Sequence, residues 1–148
     1  MNDFDAMRLA LDEARAALLT GDVPIGAIAV LDGRIVGSGR NRREADHDAT
    51  AHAELLALQT ASRALGRWRL DDVTLYCTLE PCAMCAGAMV LARLGRLVYG
   101  AVDLKAGMAG SIEDLLRHPR LNHRVDVSGG LLAHECGTLL RDFFGGMR

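Results

Sequence analysis

Between Val73 and Gly100 the chain passes from a β-rich stretch, VTLYCTL, through Pro81 into an Ala/Met/Leu-rich helical stretch, and then into a second β-rich stretch, Leu97 to Gly100. No other feature narrows the fold as much. Strand, helix and strand joined by links this short form a βαβ unit, so the two strands are expected to run parallel in one sheet. Pro81 ends the strand pattern and suits a helix start, where its missing N–H is not needed. The helix is expected over Cys82 to Leu94, with Gly95 capping it. Upstream, Phe4, Met7, Leu11, Ala14 and Leu18 recur at steps of three and four, which predicts an amphipathic helix over 4–19 with Gly21 at its end. Residues 25–31 and 34–39 are Ile/Val-rich and flank Asp32-Gly33, a strong antiparallel hairpin signal. A polar loop over 40–48 leads to a helix from Thr50 or Ala51 to Leu65, followed by Gly66. Residues 101–124 are glycine-punctuated, with a short helix expected after Ser111 from its Ser-x-x-Asp pattern. The last helix spans Leu131 to Phe144, with Leu132, Cys136, Leu139, Leu140 and Phe143 on one face. The reading is one α/β domain over residues 1–148: a mixed sheet opening with a hairpin, helices on both faces.

Only 4% of the residues are aromatic although half are hydrophobic, so Leu, Val and Ala must fill most of the core. The net charge of -2 argues against a protein that coats nucleic acid by bulk charge. It leaves room for a local basic patch, and Arg40, Arg42 and Arg43 form one cluster and Arg117, Arg120, His123 and Arg124 another. The plainer account of both is a solvated surface. No apolar run approaches the roughly 18 residues of a membrane span, and the N-terminal MNDFDAMRLALDEAR carries acids where a signal peptide would carry bases. A soluble, cytoplasmic protein without a membrane partner is expected. In that setting the four cysteines, Cys77, Cys82, Cys85 and Cys136, point to metal binding or catalysis rather than disulfides.

Three of the chain's thiol and imidazole groups stand at expected helix starts: His52 on one helix, Cys82 and Cys85 on another. Residues three apart share one face of a first helical turn. The positive helix N-terminus lowers thiol pKa, and thiolate and imidazole are ligands that zinc prefers. A Cys-x-x-Cys can also be a redox pair, but thioredoxin-like motifs seldom begin with proline. It can be half of a structural zinc site, but such a site needs four protein ligands. Cys77 lies mid-strand and Cys136 on a core face, and both read as small buried apolar residues. Three ligands with one open position is the catalytic pattern. His47, His118, His123 and His134 lack comparable spacing and read as surface or loop histidines. Glu54 alone would be a dipole-favoured surface residue. Positions i and i+2 of a helix face different ways, so His52 and Glu54 do not share a helix face. The two can share a site only at an open helix mouth that borders a cavity.

His52-Ala53-Glu54 followed by Pro81-Cys82-Ala83-Met84-Cys85 matches the His-x-Glu and Pro-Cys-x-x-Cys signature of zinc nucleobase deaminases. Beyond it, the chain resembles the bacterial tRNA-specific adenosine deaminases over nearly its full length. The likeness lies in VPIGAIAV (23–30), GRN (39–41), TAHAE (50–54), TLEPCAMC (78–85), DLKAGMAGS (103–111), LNHRV (121–125) and LLRDFF (139–144). The zinc motif is shared with cytidine, cytosine and guanine deaminases; Asn41 and the stretches at 103–111 and 121–125 tilt the resemblance to the tRNA enzymes. Ala49 stands where that family commonly has proline, and Val102 where it often has arginine.

The resemblance implies a cytidine-deaminase-like α/β/α sandwich around a five-stranded mixed sheet. It implies a homodimer holding one zinc ion per chain and converting adenosine to inosine at the wobble position of a tRNA anticodon, usually in an arginine tRNA. By position, His52, Cys82 and Cys85 match the zinc ligands and Glu54 the proton shuttle. Asn41 matches the residue that hydrogen-bonds the flipped base, although on its own it reads equally as a turn residue. Val23 and Ile25 match apolar walls of the base pocket, with Ala53 also at the substrate. Asp103 and Lys105 match a loop that meets the RNA. Two other readings share parts of these signals. Deamination of free cytosine, cytidine or guanine would use the same site with a different pocket. A zinc-stabilised binding module would give Glu54 no task.

Overall fold

Residues 1–146 are described by a computed structural model. Its strands are β1 (Gly26–Leu31), β2 (Arg34–Arg40), β3 (Thr74–Leu79), β4 (Arg96–Ala101) and β5 (Asp126–Ser128). Its helices are α1 (Asp3–Ala17), α2 (Ala53–Leu65), α3 (Ala83–Leu91) and α4 (Ala133–Gly145). The sheet order is β2-β1-β3-β4-β5. β1 pairs antiparallel with both β2 and β3, and β3–β4 and β4–β5 are parallel. The hairpin turns on Asp32 and Gly33, both at positive φ (50° and 75°), as the Asp-Gly pair predicts. The expected parallel pair of the βαβ unit is β3 and β4.

Alternation along the strands separates two cores. Ile28, Val30, Tyr76 and Val98 face α1 and α4, where they pack on Met7, Leu11 and Cys136. Ala27, Ala29, Leu75, Cys77 and Leu97 face α2 and α3, where they pack on Ala57, Leu58, Met89 and Val90. The result is a three-layer α/β/α sandwich with a five-stranded mixed sheet at its centre.

Small residues let α2 lie directly on the hairpin. A Cβ placed on Gly39 would sit 2.3 Å from the Ala53 carbonyl oxygen, and one on Gly37 would sit 2.5 Å from that of Ala57. Ala53, Ala57 and Ala61, one helical turn apart, form the facing stripe, all fully buried. This contact fixes where the first turn of α2 stands relative to the sheet.

Several sequence expectations need correction. No helix follows Ser111; Ala109 and Asp114 instead form an isolated antiparallel bridge. α3 stops at Leu91, three residues short of Leu94, and its chain reversal uses Arg93 at φ 57° rather than Gly95. Gly95 instead permits close approach of the Asp71 carbonyl. α1 ends at Ala17 in a 3-10 turn over Leu18–Thr20, with Gly21 left-handed as expected. The residue pattern alone outlined four strands; β5 is a three-residue edge strand without a pattern of its own.

Candidate active site

The helices α2 and α3 present their N-termini to one point. His52 is the N-cap of α2 (φ -85°, ψ 148°), and Cys82 is the N-cap of α3 (φ -76°, ψ 177°). Both backbones are extended, so these two side chains leave the chain before the helical spiral begins. That resolves the i, i+2 conflict: His52 is not on the helix, while Glu54 is its second residue. Pro81 precedes the N-cap and lies outside α3. Cys85 is the third residue of α3 and completes the group.

His52 Nδ1 lies 3.6 Å from Cys82 Sγ and 3.6 Å from Cys85 Sγ. The three ligand atoms all fall within 4.8 Å of one another. A tetrahedral zinc bonded at about 2.0 Å to nitrogen and about 2.3 Å to sulfur sets N···S separations of roughly 3.5 Å. The observed spacing therefore fits a metal of that size at the centre. No other group of three or more metal-binding side chains exists among the described residues. Cys77 and Cys136 are buried away from it, with 0% and 1% exposure. His47 and His134 are exposed; His118 is half-buried in its loop, and His123 spends a ring nitrogen on the Leu94 carbonyl, 2.7 Å away.

Proton placement suits a metal site. A hydrogen bond from Cys85, seconded by His52, pulls the Cys82 thiol down to about 3, against its burial. Cys85, giving that hydrogen bond from a buried position, is held well above the ordinary thiol range. The Cys82 thiolate in turn raises the His52 imidazole. Thiolate and neutral imidazole are the forms that bind a metal, so a cation bound here would displace protons from these groups. Glu54 is 4% exposed, and burial pushes its carboxyl above the usual range.

A cavity of about 660 Å³ opens beside His52 and Glu54, at the carboxyl ends of β3 and β4. In open α/β sheets that is where ligands bind. His52, Ala53, Glu54, Val23, Ile25, Asn41, Asp103 and Lys105 all line it. Every substrate-binding residue expected from the sequence therefore borders a single space. Asn41 is 6% exposed, and its amide is pinned. Nδ2 donates to the Val23 carbonyl at 3.2 Å, and Oδ1 accepts from the Arg43 N–H at 3.1 Å.

The cavity also takes residues that the sequence reading did not single out for it. Leu79 ends β3, Val102 follows β4, and Leu104 is exposed beside them. From the last helix come Leu140, Arg141 and Phe144; Leu140 borders the cavity instead of staying with the core face. Of the two basic clusters, only Arg43 reaches this space. Arg42 pairs with Asp46 at 2.9 Å and Arg117 with Asp114 at 2.7 Å, the local pairing of a solvated surface. Glu80 was also missed. It is 2% exposed and accepts hydrogen bonds from the Asp103, Ala109 and Ser111 N–H groups and from the Ser111 hydroxyl.

The MafB19-like deaminase model matches residues 1–148. A tRNA-specific adenosine deaminase of Bacillus subtilis is 47% identical over 142 residues, covering 96% of this chain and 88% of the relative. A solved structure from work on A-to-I editing by tRNA:A34 deaminases at the wobble position of transfer RNA superposes with a TM-score of 0.88. It is 46% identical, over 92% of this chain and 99% of that one. A guanine deaminase from Nitrosomonas europaea superposes at 0.83 with 24% identity, covering 97% of this chain and 85% of that one, a likeness of fold. The architecture is thus the cytidine-deaminase-like sandwich. From this full-length match and this identity, the chain belongs to the MafB19-like deaminases and, among them, to the tRNA-specific adenosine deaminase family.

Proposed function

We propose that this chain deaminates adenosine to inosine hydrolytically at the wobble position of a tRNA anticodon, with an arginine tRNA as the expected substrate. One observation carries the proposal: His52, one member of a three-ligand metal cluster, and the buried Glu54 carboxylate border the same cavity. His52, Cys82 and Cys85 would hold one zinc ion per chain. When bound, that ion supplies Lewis-acid activation of water near neutral pH.

An anticodon loop is already single-stranded, so turning the base out costs only a few kcal/mol. Val23, Ile25 and Ala53 close on the flat faces of the adenine and exclude bulk water. Asn41 has one N–H and one carbonyl lone pair left uncommitted among the described residues, and its clamped amide presents both to the base edge. Glu54 takes a proton from the attacking water as C6 of the ring is attacked. It delivers that proton to ring N1, then takes the second proton from the C6-bound hydroxyl and passes it to the departing amino group, so the C6–N bond breaks, ammonia leaves and inosine remains. Its raised pKa suits a group that must both accept and return a proton. Asp103 and Lys105 would meet the RNA flanking the reactive nucleotide.

The same reading includes a cytoplasmic homodimer. No helix among the described residues is long and apolar enough to cross a membrane. Trp68 and Leu91, 62% and 73% exposed, sit together on an apolar groove between α2 and α3, which supports burial against a second copy. A monomer mass in sedimentation velocity would withdraw the dimer.

The activity is tested by incubating the zinc-loaded protein with an anticodon stem-loop carrying adenosine at the wobble position. Parallel reactions contain free adenosine, cytidine, cytosine or guanine. Inosine and ammonia from the stem-loop are expected. Turnover of a free base or nucleoside with an inert stem-loop would replace the proposal with the small-molecule reading.

A further inference from the structure

The loop from Val102 to Ser111 forms one wall of the cavity yet has almost no regular structure of its own. Its backbone donors have to go somewhere. The Gly107 N–H donates to the Asp103 carbonyl at 2.9 Å, the Met108 N–H to the Pro81 carbonyl at 2.9 Å and the Gly110 N–H to the Glu113 carbonyl at 3.0 Å. The Lys105 and Ala106 N–H groups donate to Asp103 Oδ1. Glu80 takes the Asp103, Ala109 and Ser111 N–H groups. Its Oε1 accepts from the Asp103 N–H at 3.0 Å and from the Ser111 hydroxyl. Its Oε2 accepts from the Ala109 N–H at 3.0 Å and the Ser111 N–H at 3.1 Å. All four donors belong to this one loop, although they are spread over nine positions of it. The loop wraps so tightly that a Cβ on Gly107 would lie 2.5 Å from Oε1. The same carboxylate stands at the end of β3, immediately before Pro81 and Cys82.

We infer that Glu80 is a positioning residue: its buried carboxylate braces the 103–111 loop and so sets where Asp103, Leu104 and Lys105 stand over the substrate. It touches neither the base nor the metal ligands' side chains. Its effect falls on the grip of the polynucleotide rather than on proton transfer at Glu54, which comes from α2. The inference deepens the reading of this cavity as an anticodon-loop site and rests on it.

Glu80→Gln is the discriminating change. An amide keeps the shape but offers one acceptor atom, and its NH2 end then confronts two of the four donors. Losing hydrogen bonds to a buried charged acceptor weakens the brace. In the zinc-loaded, full-length variant, exchange protection at the Asp103, Ala109 and Ser111 amides is expected to fall at least about tenfold, the size of one such bond. KM for the stem-loop rises roughly tenfold, kcat stays within about threefold, and zinc remains at one per chain. The control is Asp3→Asn. It breaks a hydrogen-bonded ion pair with Arg96 and the bond from the Tyr76 hydroxyl on the far face of the sheet. That variant should lower stability and leave KM and the loop amides unchanged.

Unaltered protection and KM in Glu80→Gln would overturn the inference. So would a fall in kcat at constant KM, loss of zinc, or an equal rise of KM in Asp3→Asn. If Glu80→Gln does not fold, Ser111→Ala decides. It removes one donor, and is expected to loosen the Asp103 amide and raise KM about threefold; no change in either overturns the brace. A wild-type chain inert on the stem-loop would refute the functional reading, while exchange at the three amides would still decide whether Glu80 holds the loop.

Discussion

Gly39→Ala should disable this enzyme without touching a metal ligand or Glu54. The added Cβ would stand 2.3 Å from the Ala53 carbonyl oxygen, 2.9 Å from the Ala57 nitrogen and 3.0 Å from the Leu56 Cβ. Two of the three neighbours are helix backbone, which cannot rotate aside. Ordinary contact begins near 3.5 Å, so the first turn of α2 must retreat by roughly 1 Å or β2 must bend away. That turn carries Glu54, and His52 caps it. A displacement of about 1 Å in catalytic geometry can cost about 10²-fold in rate, and overpacking typically costs about 1–3 kcal/mol of stability. The control is Gly87→Ala in α3, where an added Cβ meets nothing within 4 Å. Alanine favours a helix interior over glycine by about 1 kcal/mol, so this control should be neutral or stabilising. The assay is stem-loop turnover at a temperature where both variants are fully folded by circular dichroism, alongside urea midpoints. If Gly39→Ala kept its rate within twofold of wild type, the claim that this close approach places the catalytic turn would be wrong.

Glu54→Gln is expected to retain fold and zinc while kcat drops by about 10²–10⁴, the usual contribution of general acid–base catalysis; near-normal turnover would refute the proton role. Cys85→Ser should release the metal, and elemental analysis finding one zinc per chain would count against the ligand set. Acid should destabilise the fold through three depressed carboxylates. Arg96 first, then Tyr76, holds Asp3 below its ordinary 3.8. Burial would raise Asp22 and Glu80. Hydrogen bonds from Thr20, Glu44 and Ala45 to Asp22, and from Ser111, Asp103 and Ala109 to Glu80, outweigh burial and leave both below their ordinary values. Each stays ionised in the fold at a pH where the unfolded chain already binds a proton. Their stabilisation is therefore complete above about pH 5 and fades as pH falls through roughly 4.5 and below. Urea midpoints at pH 7, 5 and 3.5 should decline in that order; a rise at pH 3.5 would contradict the assignment.

Much of this molecule was legible because its signals are local. The 3.6-residue spacing of Met7, Leu11 and Ala14 marks α1, Asp32-Gly33 marks the hairpin, and the VTLYCTL run ahead of Pro81 marks β3. The parts that were not legible are set by tertiary partners. β5 is three residues long and exists by pairing with β4. The pattern at Ser111 resembles a helix cap, but the Ser111 hydroxyl and N–H are both given to Glu80, 31 residues earlier in the chain. Helix periodicity placed Leu140 in the core, whereas it faces the cavity. The resemblance named positions that border the cavity. The way His52 and Glu54 share one cavity depended on an N-cap dihedral that no sequence pattern carries. Glu80 looked like any polar residue closing a strand, because nothing in a sequence says which loop will fold over it.

The central claim is that one imidazole and two sulfurs surround a metal and leave a place for solvent. X-ray absorption at the zinc edge of the loaded protein measures this directly. Two sulfur scatterers near 2.3 Å, with two nitrogen or oxygen scatterers near 2.0 Å, are expected. A shell of three or four sulfurs, or one with no light atom beyond a single imidazole, would contradict the account.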